Sequence, residues 1–233
     1  MNKGLFLRII AILSILSLAF SSCSKNEEEE VIDTTTVYDF TVLIKMTDLS
    51  WLDKKPVGDL SFSQFVATTH ASKDLMYKES AVASSLVSKI ASCKDVKDIT
   101  YLASLKAEMK KLEGDSAIGT VMKSDSLKAG GSYRFTFTST LKNRYLSLIG
   151  KIIPSPDWML GMYNIDLNAV SVNSTLNKPT VMSVYDAGTD GGKSFTDTAA
   201  GEGVISLITT APLATGKLVP TIGTVYIVKT IHN

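Results

Sequence analysis

Alternation of apolar and polar residues with a period of two is the feature that most restricts the fold of this 233-residue chain. Residues 38–46 place an apolar side chain at every second position, and residues 133–138 repeat this pattern directly after two glycines. Such alternation is typical of strands with one buried face. Further strand-like runs cover residues 144–153, 158–167, 179–185, 204–209 and 222–231. Seven or eight such strands predict a mainly β chain folded as an antiparallel β-sandwich.

Residues 72–113 follow a helical spacing instead. Val82, Leu86 and Ile90 recur at every fourth position, and the leucines and Met109 of residues 102–112 are spaced by three or four. This period is typical of amphipathic helices, so we expect a two-helix insertion between the strands. The lysines of the second helix alternate with glutamates, which favours a solvated face over a binding site for an anion.

The N-terminus has the three parts of an export signal. Lys3 and Arg8 precede an apolar run over residues 9–20, which is long enough for a signal peptide but short for a membrane span. Two serines then precede Cys23, in an arrangement that resembles the cleavage site of bacterial lipoproteins. We therefore expect residues 1–22 to be removed and Cys23 to be lipidated. The alternative is an uncleaved anchor helix, which would also place the body outside the cytoplasm.

Residues 23–36 predict a disordered spacer that carries the lipid on Cys23. Four consecutive glutamates, residues 27–30, lie in a stretch with almost no apolar residues. An acidic run after a lipidated cysteine resembles the tag that exports some lipoproteins to the outer face of the outer membrane. We therefore expect a cell-envelope protein anchored to the outer membrane and exposed at the surface. The alternative is a simple solvated spacer, and the choice between the inner and outer face stays open.

The expected mature chain carries almost no net charge. Without residues 1–22 it has 22 basic and 23 acidic residues, a formal charge of about −1. This balance implies no nucleic-acid partner and membrane contact through the lipid anchor only. Residues 37–233 suit one domain. Its single cysteine, Cys93, has no intramolecular disulfide partner in the domain and is interpreted as a packed thiol.

Two loops carry the most informative residues. Residues 154–158 (PSPDW) hold two prolines that end a strand and place Asp157 in a constrained loop, while residues 185–192 join three glycines to Asp186 and Asp190. If the strands beside Asp157 and Asp186 are antiparallel neighbours, both carboxylates lie at one end of the sheet. Hard oxygen ligands of this kind suit Ca²⁺. Alternatively, both carboxylates only cap turns through backbone hydrogen bonds.

These two loops also carry a family resemblance. Residues 151–158 (KIIPSPDW) and 185–191 (YDAGTDG) resemble the spondin N-terminal domain of F-spondin and mindin, in the same order and at nearly the same spacing. Weaker matches begin at Trp51 and Pro56 and end in the strand of residues 225–231. The resemblance covers roughly residues 37–231.

The resemblance implies a C2-like β-sandwich that holds a divalent cation, Ca²⁺, at one end. Asp157 and Asp186 match two metal-binding carboxylate positions of the family. Counting back from Asp157 without a gap puts Thr138 at the third position, and threonine cannot supply that charge. The resemblance therefore implies weak binding, near the ~10⁻⁴–10⁻³ M of extracellular calcium modules. Asp190 is a substitute ligand that the family motif does not require.

The resemblance also implies an adhesion or ligand-binding module rather than an enzyme, with an extracellular glycan or protein as its partner. The only histidines are His70, expected to form structural hydrogen bonds, and the penultimate His232. The sequence has no Gly-x-Ser-x-Gly elbow, phosphate-binding loop or His-Glu-x-x-His motif. The alternatives are a structural envelope subunit without metal and a hydrolase that uses its carboxylates.

Overall fold

A computed structural model of the chain describes residues 32–49, 60–173, 179–192, 198–201, 203–208 and 221–233. The expected signal peptide, Cys23 and the four glutamates lie outside the described residues, as do Trp51 and Pro56. In the part of the chain that is described, no helix is both long and apolar enough to cross a membrane.

The described residues form twelve strands, two α-helices and a short 3-10 helix at Leu141–Asn143. The helices are α1 (Ser85–Ala91) and α2 (Ile99–Glu113). The strands are β1 (Val37–Met46), β2 (Ser61–Phe62), β3 (Val66–His70), β4 (Ile118–Lys123), β5 (Leu127–Lys128), β6 (Ser132–Thr140), β7 (Tyr145–Ile153), β8 (Trp158–Asp166), β9 (Thr180–Val181), β10 (Ser183–Asp186), β11 (Ser206–Leu207) and β12 (Gly223–Ile231).

The strands make two antiparallel sheets. The smaller sheet has the order β6-β1-β12-β9, and the larger one has β11-β10-β8-β7 as its continuous part. Beyond β7 the larger sheet divides, because β3 pairs with the first half of β7 and β2 with its last residues. β4 continues the first branch and β5 the second. The predicted antiparallel β-sandwich with a two-helix insertion is confirmed.

The alternation in β1 shows how the sequence selects the buried face. Phe40, Val42 and Ile44 are fully buried, while Thr41 and Leu43 on the opposite face are half-buried. β12 pairs with β1 along its whole length and also buries every second residue, including Val225 and Ile227. The period of two therefore directs one face of each strand into the core.

The helices cover the larger sheet and form a second part of the core. Leu86, Val87 and Ile90 of α1 are buried against Ile149 of β7 and Met159 of β8. The predicted start of the first helix is wrong, because Val82 precedes the helix and is exposed. The side chain of Ser84 caps α1 by accepting a hydrogen bond from the Val87 amide, so the helix begins at Ser85.

Cys93 is buried beside α1 within this second part of the core. Burial raises the pKa of its thiol, and this effect exceeds the opposing effect of the neighbouring Tyr101 hydroxyl. A thiol of this kind stays protonated and unreactive at neutral pH. The interpretation of Cys93 as a packed thiol is confirmed.

His70 joins three neighbouring strands of the larger sheet. Its Nδ1–H donates to the Ser72 carbonyl at 2.6 Å, so its Nε2 accepts from the Ser147 hydroxyl on β7 at 2.9 Å. The Ser147 oxygen accepts in turn from the Asn164 amide of β8 at 3.0 Å. His70 and Ser147 are both buried. The pair resembles a catalytic serine and its base. However, its hydrogen bonds connect β3 to β7, to β8 and to the residues after β3, as expected for a structural histidine.

Acidification should destabilise the fold through His70. Burial lowers the pKa of His70 from its ordinary 6.5. Below this pH the unfolded chain binds a proton that the folded chain does not, so the free energy of unfolding falls as the pH decreases. Urea unfolding at about pH 7.5 and about pH 5.5 should show this loss for the wild type. His70→Gln should lower stability at the higher pH and flatten the dependence.

His232→Gln is the matched control, because His232 is exposed and contacts only Asp39 among the described side chains. This variant should keep the dependence of the wild type. Equal slopes for the wild type and His70→Gln would show that another group causes the loss.

Candidate functional site

The loops that carry Asp157 and Asp186 meet at one end of the larger sheet. β8 and β10 are antiparallel neighbours, and Trp158, the first residue of β8, pairs with Asp186, the last residue of β10. Asp157 directly precedes this pair. The predicted position of both residues at one end of the sheet is confirmed.

The loop before β8 is closed by its own side chains. The Ser155 hydroxyl donates to the Ile152 carbonyl at 2.6 Å and accepts from the Trp158 amide at 3.1 Å. Trp158 is almost fully buried and fixes the loop to the core. The Ile153–Pro154 peptide bond is cis. As predicted, the prolines lie directly after β7, which ends at Ile153.

Asp157 connects the two loops through one carboxylate oxygen. Its Oδ2 accepts hydrogen bonds from the Thr189 amide at 2.7 Å, the Thr189 hydroxyl at 2.9 Å and the Asp190 amide at 2.8 Å. Its Oδ1 is buried and has no hydrogen-bond partner among the described residues. A buried, unpaired polar atom costs about 1–3 kcal/mol, so an ion or a water molecule at Oδ1 would stabilise the site.

Asp186 and Asp190 shape the second loop as turn caps. Oδ1 of Asp186 accepts from the Gly188 amide at 2.7 Å, and Oδ1 of Asp190 accepts from the amides of Gly192 and Ala199 at 3.0 and 2.9 Å. Gly188 has a φ of +72°, and a Cβ there would lie 2.3 Å from the Val204 carbonyl oxygen. The predicted alternative, in which Asp157 and Asp186 accept hydrogen bonds from backbone amides of turns, agrees with these contacts and with those of Asp157.

Lys151 of β7 is a part of this site that the sequence analysis missed. It is 2% exposed, and its Nζ donates to the Pro156 carbonyl at 2.8 Å, one residue before Asp157. Burial lowers the pKa of Lys151 to about 8, against the opposing effects of Cys93 and Asp157. The available sequence signal was a single charged residue in the otherwise uncharged run of residues 145–153, and the structure shows that the inner residues of this strand are all buried. The Lys151 ammonium is therefore a buried positive charge next to the loop that holds Asp157.

Thr138 does not join these loops. It lies on β6 in the smaller sheet, where its hydroxyl donates to Oδ1 of Asp39 at 2.7 Å. β6 leads through the 3-10 helix to the start of β7, whereas Asp157 follows the end of β7. The gap-free count back from Asp157 therefore did not locate a third ligand.

The donor atoms around Asp157 fit a hard cation. Within the described ranges, no group of three or more His, Cys, Asp and Glu side chains could hold a metal ion. Calcium, however, takes about six to eight oxygens and accepts backbone carbonyls and water among them. The buried Oδ1 of Asp157 lacks a hydrogen-bond partner among the described residues, and Asp186 pairs with Trp158, the residue that follows Asp157. These residues suit calcium, with most of the coordination left to other oxygens.

Comparison with known families extends beyond the two loops. The model of the Spondin_N family, the spondin N-terminal domain, matches residues 36–212 of the chain. This range includes both loops, and it ends before β12, which completes the smaller sheet by pairing with β1. No curated protein matches the sequence. Because the family model covers most of its length, the chain belongs to the spondin N-terminal domain family, a family of non-catalytic, extracellular binding modules.

Proposed function

We propose that this protein is a calcium-assisted binding module, tethered by a lipid on Cys23 to the outer membrane of a bacterial cell and exposed at its surface. The observation that carries the calcium part is the buried Asp157 carboxylate, which fixes two loops with one oxygen and leaves the other without a partner. Membership of an extracellular binding family supports the binding part.

Asp157 and Asp186 would hold the ion. Oδ2 of Asp157 is occupied by its three donors, so its Oδ1 is the oxygen available to a cation. Bound calcium would supply positive charge and open coordination positions for oxygens of a ligand. Two carboxylates give a low charge count, so we expect a dissociation constant of about 10⁻³ M, in the range of extracellular modules.

The arrangement favours binding over hydrolysis. A pair of carboxylates in a hydrolase must reach the substrate, but Asp157 is buried and one of its oxygens accepts three hydrogen bonds. The other candidate pair, His70 and Ser147, is closed inside the sheet. Neither pair offers an accessible nucleophile with a free base.

The partner that suits this site is rich in oxygen. Carboxylates and hydroxyls of a glycan, or acidic side chains of a protein, can complete the coordination of a calcium ion. We therefore propose an extracellular glycan or protein ligand. A structural envelope subunit without metal is the alternative, and it would show no response to calcium.

Calcium should raise the melting temperature of the wild type. At about 10 mM calcium and a dissociation constant of about 1 mM, binding adds about 1.4 kcal/mol, or about 3–6 °C. Asp157→Asn and Asp186→Asn should each reduce this rise, and the double variant should abolish it. Differential scanning fluorimetry with calcium or EDTA measures the effect.

Asp98→Asn is the matched control, because Asp98 caps α2 and asparagine caps as well as aspartate. This variant should respond to calcium like the wild type. No calcium response in the wild type would contradict the metal part of the proposal.

A screen of glycans and matrix proteins with the domain of residues 37–233 tests the binding part. We expect binding in calcium that is lost with EDTA and in the double Asp157→Asn, Asp186→Asn variant. Binding that persists without calcium would support the binding part of the proposal and contradict the calcium dependence.

The lipid anchor requires a separate test, because Cys23 lies outside the described residues. Cys23→Ala should move the protein from the membrane fraction to the soluble fraction. Cys93→Ala is the control for loss of a thiol and should leave the fractionation unchanged. A Cys23→Ala protein that stays in the membrane fraction would indicate an uncleaved anchor helix instead.

A further inference from the structure

The charge next to the candidate calcium site comes from a lysine that does not reach solvent. Lys151 is 2% exposed and lies in the centre of the larger sheet, where β7 pairs with β8 and β2. Its backbone is fixed as well, because its amide donates to the Ser63 hydroxyl at 2.8 Å and its carbonyl accepts from the Ser63 amide at 2.9 Å. The ammonium group therefore has little freedom to leave the site.

Lys151 brings a positive charge close to Asp157 but does not form an ion pair with its carboxylate. Its ammonium interacts electrostatically with Asp157 and Asp190. However, the ion pairs among the described residues do not include one between Lys151 and Asp157. The Nζ donates to the carbonyl of Pro156 instead. Oδ1 of Asp157 therefore has no hydrogen-bond partner among the described residues, although the Lys151 ammonium lies nearby.

We propose that Lys151 is a resident cation that limits the calcium affinity of this site and thereby determines its response to metal. This inference rests on the proposed function, because it concerns the same carboxylates. Lys151 acts in two ways. Its charge repels a divalent ion at Asp157 within a poorly screened interior, and its hydrogen bond occupies the Pro156 carbonyl, an oxygen next to the site. Without metal, Lys151 offsets part of the negative charge of the carboxylates, so the site binds calcium only when calcium is abundant.

Neutralising Lys151 should therefore tighten calcium binding. Lys151→Gln removes the charge and keeps an N–H donor for the Pro156 carbonyl, so it isolates the electrostatic effect. We expect the apparent dissociation constant for calcium to fall about tenfold or more. Lys151→Arg keeps the charge and should stay within about twofold of the wild type. Titration of calcium chloride, followed by isothermal calorimetry and by melting temperature, measures the constant for each full-length protein.

Lys229 provides a matched control in the other sheet. It is also a buried lysine whose Nζ donates to a backbone carbonyl, that of Leu167, at 3.3 Å. Lys229→Gln should leave calcium binding within about twofold of the wild type. If Lys151→Gln fails to fold by circular dichroism, Lys151→Met replaces it, because its apolar side chain suits a buried position.

The outcomes separate this inference from the proposed function. If the wild type binds calcium and the neutral Lys151 variant binds no more tightly, the role of Lys151 is overturned and the calcium site stands. If the neutral variant binds calcium where the wild type shows no binding, Lys151 has its proposed role and the site exists. If neither binds at up to about 10 mM calcium, both proposals fail. If Lys229→Gln tightened calcium binding equally, the effect would come from the net charge of the protein, and the role of Lys151 would be overturned.

Discussion

The Asp157 carboxylate accepts three hydrogen bonds on one oxygen, and the geometry of this end of the molecule depends on that interaction. The donors belong to Thr189 and Asp190, so a residue directly before β8 determines the path of the loop that follows β10. Hydrogen bonds to a charged acceptor are stronger than neutral ones, and burial strengthens them further. The two loops are therefore held together before any ligand binds, which reduces the entropy lost on binding.

The negative charge of a buried carboxylate must be offset by a nearby positive charge. Lys151 offsets it by an electrostatic interaction with Asp157 rather than by a direct ion pair. Direct pairing would satisfy Oδ1 of Asp157 and close the site. Donation to the Pro156 carbonyl instead fixes the ammonium while Oδ1 stays unpaired. Removing one of two neighbouring buried charges of opposite sign is costly, so Lys151 also stabilises the two loops. Under the proposed function, stability without metal and weak calcium binding would therefore have one cause.

The sequence predicts those features that repeat along the chain. β1 and β12 each bury alternate residues over seven positions, so their period is unambiguous. β2 and β5 have two residues each and carry no period, so they were missed. Val82 agrees with the spacing of α1 but precedes it, because the cap at Ser84 starts the helix. The adjacency of Asp157 and Asp186 was predictable, because two strands in register define it.

The chemistry of the site depends on contacts that have no period, and sequence patterns do not reveal them. Nothing near Asp157 in sequence shows that three donors from Thr189 and Asp190 occupy one oxygen and leave the other unpaired. In the sequence, Lys151 is only a charged residue within a strand. Its burial becomes evident when β7 is seen to pair with β2 and β8. Both features arise where separate strands meet. Under the proposed function they would also determine how strongly a cation binds, because a fixed carboxylate attracts the cation and a fixed counter-charge repels it.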